Sequence, residues 1–222
     1  MAIRAFIFDL DGVITDTAEY HYRAWKRLAN EEGIPFTRED NEALRGVSRR
    51  ESLRRLLKGR ELPTPATEQW LARKNAYYLE YIDRLAPADR LPGVTAFLEA
   101  ARRARLKLAI ASASKNARLV LDRLELMDCF DVIGDGDSVA MPKPAPDLFV
   151  WVMSALQVSA GESVVFEDAE AGVDAAKSAG CLTVGIGSAN VNHADLQLLS
   201  GLRNARPKLI LSQLEALRSS RG

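Results

Sequence analysis

Cysteine is nearly missing from this chain, with two in 222 residues. Cys129 and Cys181 are too few for a disulfide scaffold or a thiolate metal site. Both sit among apolar or small residues and read as buried free thiols of a reducing compartment. An excess of either charge is also absent: 30 Lys and Arg balance 30 Asp and Glu, which leaves no global basic field to grip nucleic acid. No stretch approaches the roughly 20 apolar residues of a membrane-spanning helix. Arg4, Asp9 and Asp11 interrupt the only early apolar run, so no secretory leader is expected. Repeats and low-complexity tracts are lacking too. What remains is an ordinary globular composition, 47% hydrophobic and 27% charged, on a chain long enough to bury a full core. A cytoplasmic protein that binds neither nucleic acid nor membrane is expected.

The apolar residues come in short, continuous runs. Ala5-Phe6-Ile7-Phe8 ends abruptly at Asp9-Leu10-Asp11-Gly12, and similar runs recur at 106–111, 163–166, 183–186 and 208–211, with a weaker one at 131–133. Continuous apolar character over so few residues suits strands buried on both faces. Helical spacing separates them: Val94, Phe97, Leu98 and Ala101; then Leu119, Val120 and Leu124; then Leu148, Phe149, Val152 and Leu156 after Pro146-Asp147. Ser212 and Glu215 have the spacing of a capping box ahead of a last short helix. Strand alternating with helix predicts an α/β fold with a doubly wound, Rossmann-like, mostly parallel sheet.

Residues 17–84 break that rhythm. They hold helical patterns around Tyr22, Trp25, Leu28 and Ala29, around Leu53, Leu56 and Leu57, and around Trp70, Leu71, Tyr78 and Tyr81, with Pro63 and Pro65 between. An all-helical cap domain inserted after the first strand is expected there, with 1–16 and 85–222 forming the α/β core. The arginine-rich stretch Arg45 to Arg60 reads mainly as the solvated side of a helix, supported by Glu51–Arg55 spacing.

In open α/β sheets, ligands bind at the carboxyl ends of the strands. There the sequence places Asp9 and Asp11, Ser112, and Glu167-Asp168, while Pro142-Lys143-Pro144 holds a lysine before a helix. Singly, each is a turn or cap residue. Together, unpaired carboxylates on one rim repel one another, and the natural remedy is a hard cation with oxygen ligands, which favours Mg2+. A magnesium site beside a free carboxylate and a lysine suits phosphoryl transfer. Asp9 is then the nucleophile that forms an aspartyl phosphate, and Asp11 the general acid and base.

The run Phe8-Asp9-Leu10-Asp11-Gly12-Val13-Ile14-Thr15-Asp16 resembles the first motif of the haloacid dehalogenase superfamily. Ser112, Lys143 and Glu167-Asp168 match its second, third and fourth motifs in order. Within that superfamily the chain is similar to the β-phosphoglucomutase branch. That likeness is carried by residues 16–21, Arg23-Ala24-Trp25-Lys26, Gly46-Val47-Ser48-Arg49, Arg73-Lys74-Asn75 and Ser112-Ala113-Ser114-Lys115-Asn116. The resemblance implies a cap that closes over a hexose phosphate. Ser112, Ala113 and Lys143 would hold the transferring phosphate, and Arg49, Ser114, Lys115 and Asn116 the distal one. Trp25, Gly46, Val47, Ser48, Ser52 and Lys74 would line the sugar site. The metal would take Asp9, the Asp11 carbonyl, and Glu167 or Asp168. His21 would couple cap closure to the Asp11 carboxylate, and Thr17 would lie in a hinge. The implied reaction interconverts β-glucose 1-phosphate and glucose 6-phosphate in a monomer, with β-glucose 1,6-bisphosphate as intermediate and activator. A sugar-phosphate phosphatase on the same fold is the rival reading, and a non-catalytic binding module the third. Ala169 stands where relatives often carry serine, and Arg45 where they often carry lysine.

Overall fold

The computed structural model describes residues 2–187 and 191–219. Strands β1 (Ala5–Phe8), β2 (Lys107–Ala111), β3 (Val132–Gly134), β4 (Ser163–Glu167), β5 (Leu182–Ile186) and β6 (Leu196–Leu198) form one sheet in the order β3-β2-β1-β4-β5-β6. Every pairing is parallel. The order reverses its winding next to β1, which puts the ligand crevice at the carboxyl end of that strand. Register levels the rim: Phe8 lies between Ile110 of β2 and Phe166 of β4. Asp9, Ser112 and Glu167 therefore emerge side by side.

Alternation along β1 divides the core in two. Phe6 and Phe8 face one layer with α5 (Val94–Arg103), α6 (Ala117–Arg123) and α9 (Pro207–Ser219). Here the Phe8 and Phe166 rings stack at 4.7 Å and Phe6 meets Phe166 edge-on at 4.9 Å. Ala5 and Ile7 face the other layer, with α7 (Asp147–Leu156) and α8 (Glu170–Ser178). Both faces of the central strands are thus buried, the reason their sequences run continuously apolar.

Between β1 and α5 lie α1 (Ala18–Glu31), α2 (Arg38–Glu42), α3 (Arg49–Leu56) and α4 (Thr64–Ile82), with no strand among the described residues. They close on an apolar centre of their own, built from Trp25, Leu28, Phe36, Leu53, Leu56, Trp70 and Leu71. Thr37 and Asp40 cap α2 reciprocally, and Pro65 sits in the first turn of α4, where its missing N–H is harmless. Tyr78 and Ile82 of α4 run on into the sheet-side core, which anchors the helical block to the sheet.

Two expectations are corrected. The apolar run 208–211 is helix, not strand: Pro207 opens α9, Ile210 and Leu214 are buried four residues apart, and Leu209 just before Ile210 is exposed. The Ser212–Glu215 spacing consequently falls inside that helix and caps nothing. The sixth strand is Leu196–Leu198, an edge strand whose residues are only half-buried and so carry a weak apolar signal. Cys181 is buried as expected, whereas Cys129 is half-buried; both are free thiols.

Candidate active site

Asp9 follows β1 directly, and its backbone N–H donates to the Phe166 carbonyl at 2.9 Å. Lys143, fully buried, donates to Asp9 Oδ1 at 2.7 Å and also to Glu167 Oε1. The second Glu167 oxygen accepts from the Asp168 and Ala169 backbone N–H groups at 2.9 and 3.1 Å. Burial alone would lower the pKa of Lys143, but the Asp9 and Glu167 carboxylates more than offset it and hold the ammonium charged. The peptide bond from Lys143 to Pro144 is cis.

Oxygens of Asp9, Glu167 and Asp168 lie within 4.8 Å of one another. Burial pushes the Glu167 carboxyl up to about 8 against the pull of Lys143. It pushes Asp168 up to about 6 against the pull of Arg45. Three carboxylates, Asp9, Glu167 and Asp168, face two cations here, Lys143 and Arg45. An all-oxygen donor set with surplus negative charge fits a hard divalent cation. Gly12 makes room for this arrangement: its φ is +82°, and a Cβ there would fall 2.0 Å from Asp168 Oδ2.

Asp11 is held from the other side. Thr17, buried at the start of α1, donates its hydroxyl to Asp11 Oδ1. His21 Nε2 stands 3.9 Å from Asp11 Oδ2, and its Nδ1 lies 2.7 Å from Lys74 Nζ. A lysine only donates, so Nδ1 accepts and the Nε2–H faces Asp11. Burial, followed by the charges of Lys74 and Arg49, holds His21 well below the usual imidazole range. Burial, followed by the charges of Asp9 and Asp168, raises Asp11 well above the carboxylate range. A carboxyl biased in this way toward its protonated form, next to the nucleophile, is equipped to donate a proton. Tyr78 fixes the imidazole from below, stacked at 4.1 Å, and Lys74 Nζ lies 5.0 Å from the Trp25 ring centre.

A cavity of about 90 Å³ lies between sheet and helical block. Its walls include Asp9, Asp11, His21, Trp25, Gly46, Val47, Arg49, Ser52, Lys74, Ser112, Ala113, Ser114, Lys115 and Asp168. Lys143 and Glu167 lie beneath this surface rather than on it, buried under Asp9. Ser48 lies outside the cavity and caps α3, accepting from Glu51 N at 3.2 Å. Asn116 also does not line it; its side chain donates to Asn75 Oδ1 of α4 at 2.9 Å and ties core to cap. Ser112 Oγ accepts from Ser114 N at 3.1 Å, and Lys115 pairs with Asp137.

Arg49 stands apart from its neighbours. Arg45, Arg50, Arg54 and Arg55 each pair with a carboxylate. Among the described residues none pairs with Arg49, and burial lowers its pKa. Sequence reasoning missed Ala18, Asn41 and Leu44 on the cavity wall, and it missed Arg45 as the partner of Asp168. Arg45 was legible only as a departure from the lysine of relatives; the other three carry no chemical signal.

The profile of the haloacid dehalogenase-like hydrolases matches residues 3–180. A β-phosphoglucomutase of Bacillus subtilis is 44% identical over 189 residues, 83% of this chain and 84% of its own length. A phosphorylated-carbohydrates phosphatase of Thermotoga maritima is 36% identical, covering 80% of this chain and 82% of its own. The crystal structure of a β-phosphoglucomutase from Clostridium difficile superposes with a TM-score of 0.94 at 37% identity, over 98% of this chain and 99% of that one. The parallel sheet, the Asp9–Lys143–Glu167 corner at its switch point and these likenesses agree: the chain belongs to the haloacid dehalogenase-like hydrolase family.

Proposed function

We propose that this enzyme is a β-phosphoglucomutase, interconverting β-glucose 1-phosphate and glucose 6-phosphate through an aspartyl phosphate on Asp9. One Asp9 oxygen attacks phosphorus in line, the bond from phosphorus to the sugar oxygen breaks, and protonated Asp11 supplies that oxygen's proton. In the second half, Asp11 takes the proton from a sugar hydroxyl as that oxygen attacks the phosphorus of phospho-Asp9. Lys143, Ser112 and the Ala113 backbone hold the transferring phosphate. Asp9, the Asp11 carbonyl, Glu167 and Asp168 would hold Mg2+, which supplies the positive charge that lets an anionic nucleophile meet an anionic phosphate.

The observation that carries the mutase reading is Arg49. A mutase must bind a second phosphate while the first reacts, and β-glucose 1,6-bisphosphate must turn end for end between the two half-reactions. An arginine inside the cavity with no carboxylate partner is a site waiting for an anion, and its planar fork grips phosphate in two places. Ser114 and Lys115 line the core side of the same cavity. A phosphatase, whose second substrate is water, has no need of it. The cavity is completed by one chain, which suits a monomer, and two free thiols suit the cytoplasm. No helix among the described residues is long and apolar enough to cross a membrane.

Arg49→Ala tests the reading. Steady-state conversion of β-glucose 1-phosphate is expected to fall at least about thirty-fold, while phosphorylation of Asp9 by a small donor such as acetyl phosphate stays within a few-fold of wild type. Equal losses in both assays would remove Arg49 as the distal phosphate ligand and with it the argument for a mutase over a phosphatase.

A further inference from the structure

The loop after α2 carries Arg45 from the cap to the core. One guanidinium nitrogen meets Asp168 Oδ2, and another lies 3.4 Å from Glu42 Oε2. The next residue, Gly46, has φ +71°, and a Cβ there would fall 2.8 Å from the Cβ of Ala169. Two turns, 45–46 of the cap and 168–169 of the core, therefore meet edge to edge. Asp168 is also one of the three carboxylates whose oxygens cluster within 4.8 Å. Its side chain is 9% exposed and that of Arg45 33%.

The pair has a cavity on either side. Arg45 and Asp168 line the central cavity, and both also line an outer one whose walls include Glu42, Glu170 and Asp174. The pair is thus a partition between the substrate space and an outer recess whose acidic groups attract cations. An arginine and a divalent ion compete for the charge of the same carboxylate. Each weakens the other's hold on it.

We propose that Arg45 is a competitor of the metal: its pair with Asp168 holds the cap against the metal-free core, so that metal occupancy and sugar-free cap closure oppose each other. By linkage the effect is reciprocal: whatever the pair costs the metal in affinity, the metal costs the pair in closure. With a sugar phosphate bound, closure no longer depends on Arg45, because Arg49 and Lys74 find their anion. The proposal rests on the acidic cluster holding the metal, but not on the identity of the sugar.

The experiment is titration of the sugar-free, metal-stripped protein with Mg2+ by calorimetry, alongside small-angle scattering with and without the ion. Arg45→Met is expected to bind Mg2+ at least about five-fold tighter than wild type, and Arg45→Lys, which keeps the charge but not the fork, to fall between. Arg50→Met, which removes an equal charge from the cap where it pairs with Glu68, is expected to leave the affinity unchanged. In scattering, Mg2+ is expected to expand wild type, while Arg45→Met is expanded beforehand. Unchanged or weaker Mg2+ binding by Arg45→Met overturns the proposal, as does an equal gain in Arg50→Met, which would reduce the effect to long-range charge. A wild type that binds no Mg2+ would remove the metal site itself. Tight wild-type binding untouched by Arg45→Met would remove only the competition, leaving the mutase reading intact.

Discussion

The two walls of the cavity treat charge in opposite ways. On the sheet side, Lys143 is fully buried yet bonded to Asp9 at 2.7 Å and paired with Glu167, and Glu167 is bonded in turn to two backbone N–H groups. On the cap side, Lys74 is equally buried, but among the described residues it meets no carboxylate, only an imidazole nitrogen and the faces of Trp25 and Tyr78. Arg49 likewise pairs with no carboxylate among the described residues. The sheet side is preorganised: its dipoles and charges stand in place before substrate arrives, which is where electrostatic catalysis gains most. The cap side holds cations whose burial outweighs the distant pull of Asp11 and Asp137 and is offset further when substrate supplies anions, which couples closure to binding.

Asp9→Asn breaks the sheet side outright. It removes the nucleophile while keeping the shape, and both mutase turnover and phosphorylation by a small donor are expected to fall more than about a thousand-fold, followed as glucose 6-phosphate formation and as acid-stable label on the protein. Residual phosphorylation within tenfold of wild type would relocate the nucleophile.

Gly46→Ala strikes the junction of the two walls. The added methyl meets both a left-handed backbone and the Ala169 side chain at 2.8 Å. Displacing the cap by about an ångström is expected to cost about a hundred-fold in kcat/KM, with the melting temperature changing far less. A variant that melts early and keeps its turnover would show that Gly46 serves stability alone.

Much of this contrast was legible in the sequence, though unevenly. The sheet side was clear because parallel strands buried on both faces advertise themselves, and Asp9, Ser112 and Glu167 stand where such strands end. Run 208–211 deceived for the same reason: four mostly apolar residues do not reveal their period until Pro207 and Leu214 are considered with them. The cap side was legible through its resemblance to a known branch and not through its chemistry. No spacing announces that Arg45 crosses 123 positions to reach Asp168, or that Arg49, unlike Arg45, Arg50, Arg54 and Arg55, pairs with no carboxylate among the described residues.

Lys74→Met sharpens the comparison through pH. Burial, followed by the charge of Arg49, lowers the Lys74 pKa well below 10.5. Below 10.5 the unfolded chain binds a proton that the fold resists, so stability rises with pH between the folded value and about 10.5. Methionine is expected to remove that rise and to raise the melting temperature at neutral pH, at the expense of turnover. A lower melting temperature would mean that the ammonium is well paired.

The smallest effect is expected at Glu51, on the outer face of α3, where Arg54 and then Arg55 hold the carboxyl down at about 2. Its contribution is fully present above pH 4.5 and lost as pH falls through about 2. Glu51→Gln is expected to cost about 1 kcal/mol at pH 7, given partial screening by solvent, and progressively less as pH falls toward and below 2. A loss independent of pH would assign Glu51 a packing role.

The most direct test of the central claim follows the fate of the phosphate. The enzyme is given β-glucose 1-phosphate, Mg2+ and a trace of β-glucose 1,6-bisphosphate, and glucose 6-phosphate and free phosphate are measured together. Glucose 6-phosphate accumulating without stoichiometric free phosphate is the predicted result. Free phosphate matching or exceeding it would contradict the account, because the cap would then be admitting water to phospho-Asp9 and the enzyme would be a phosphatase.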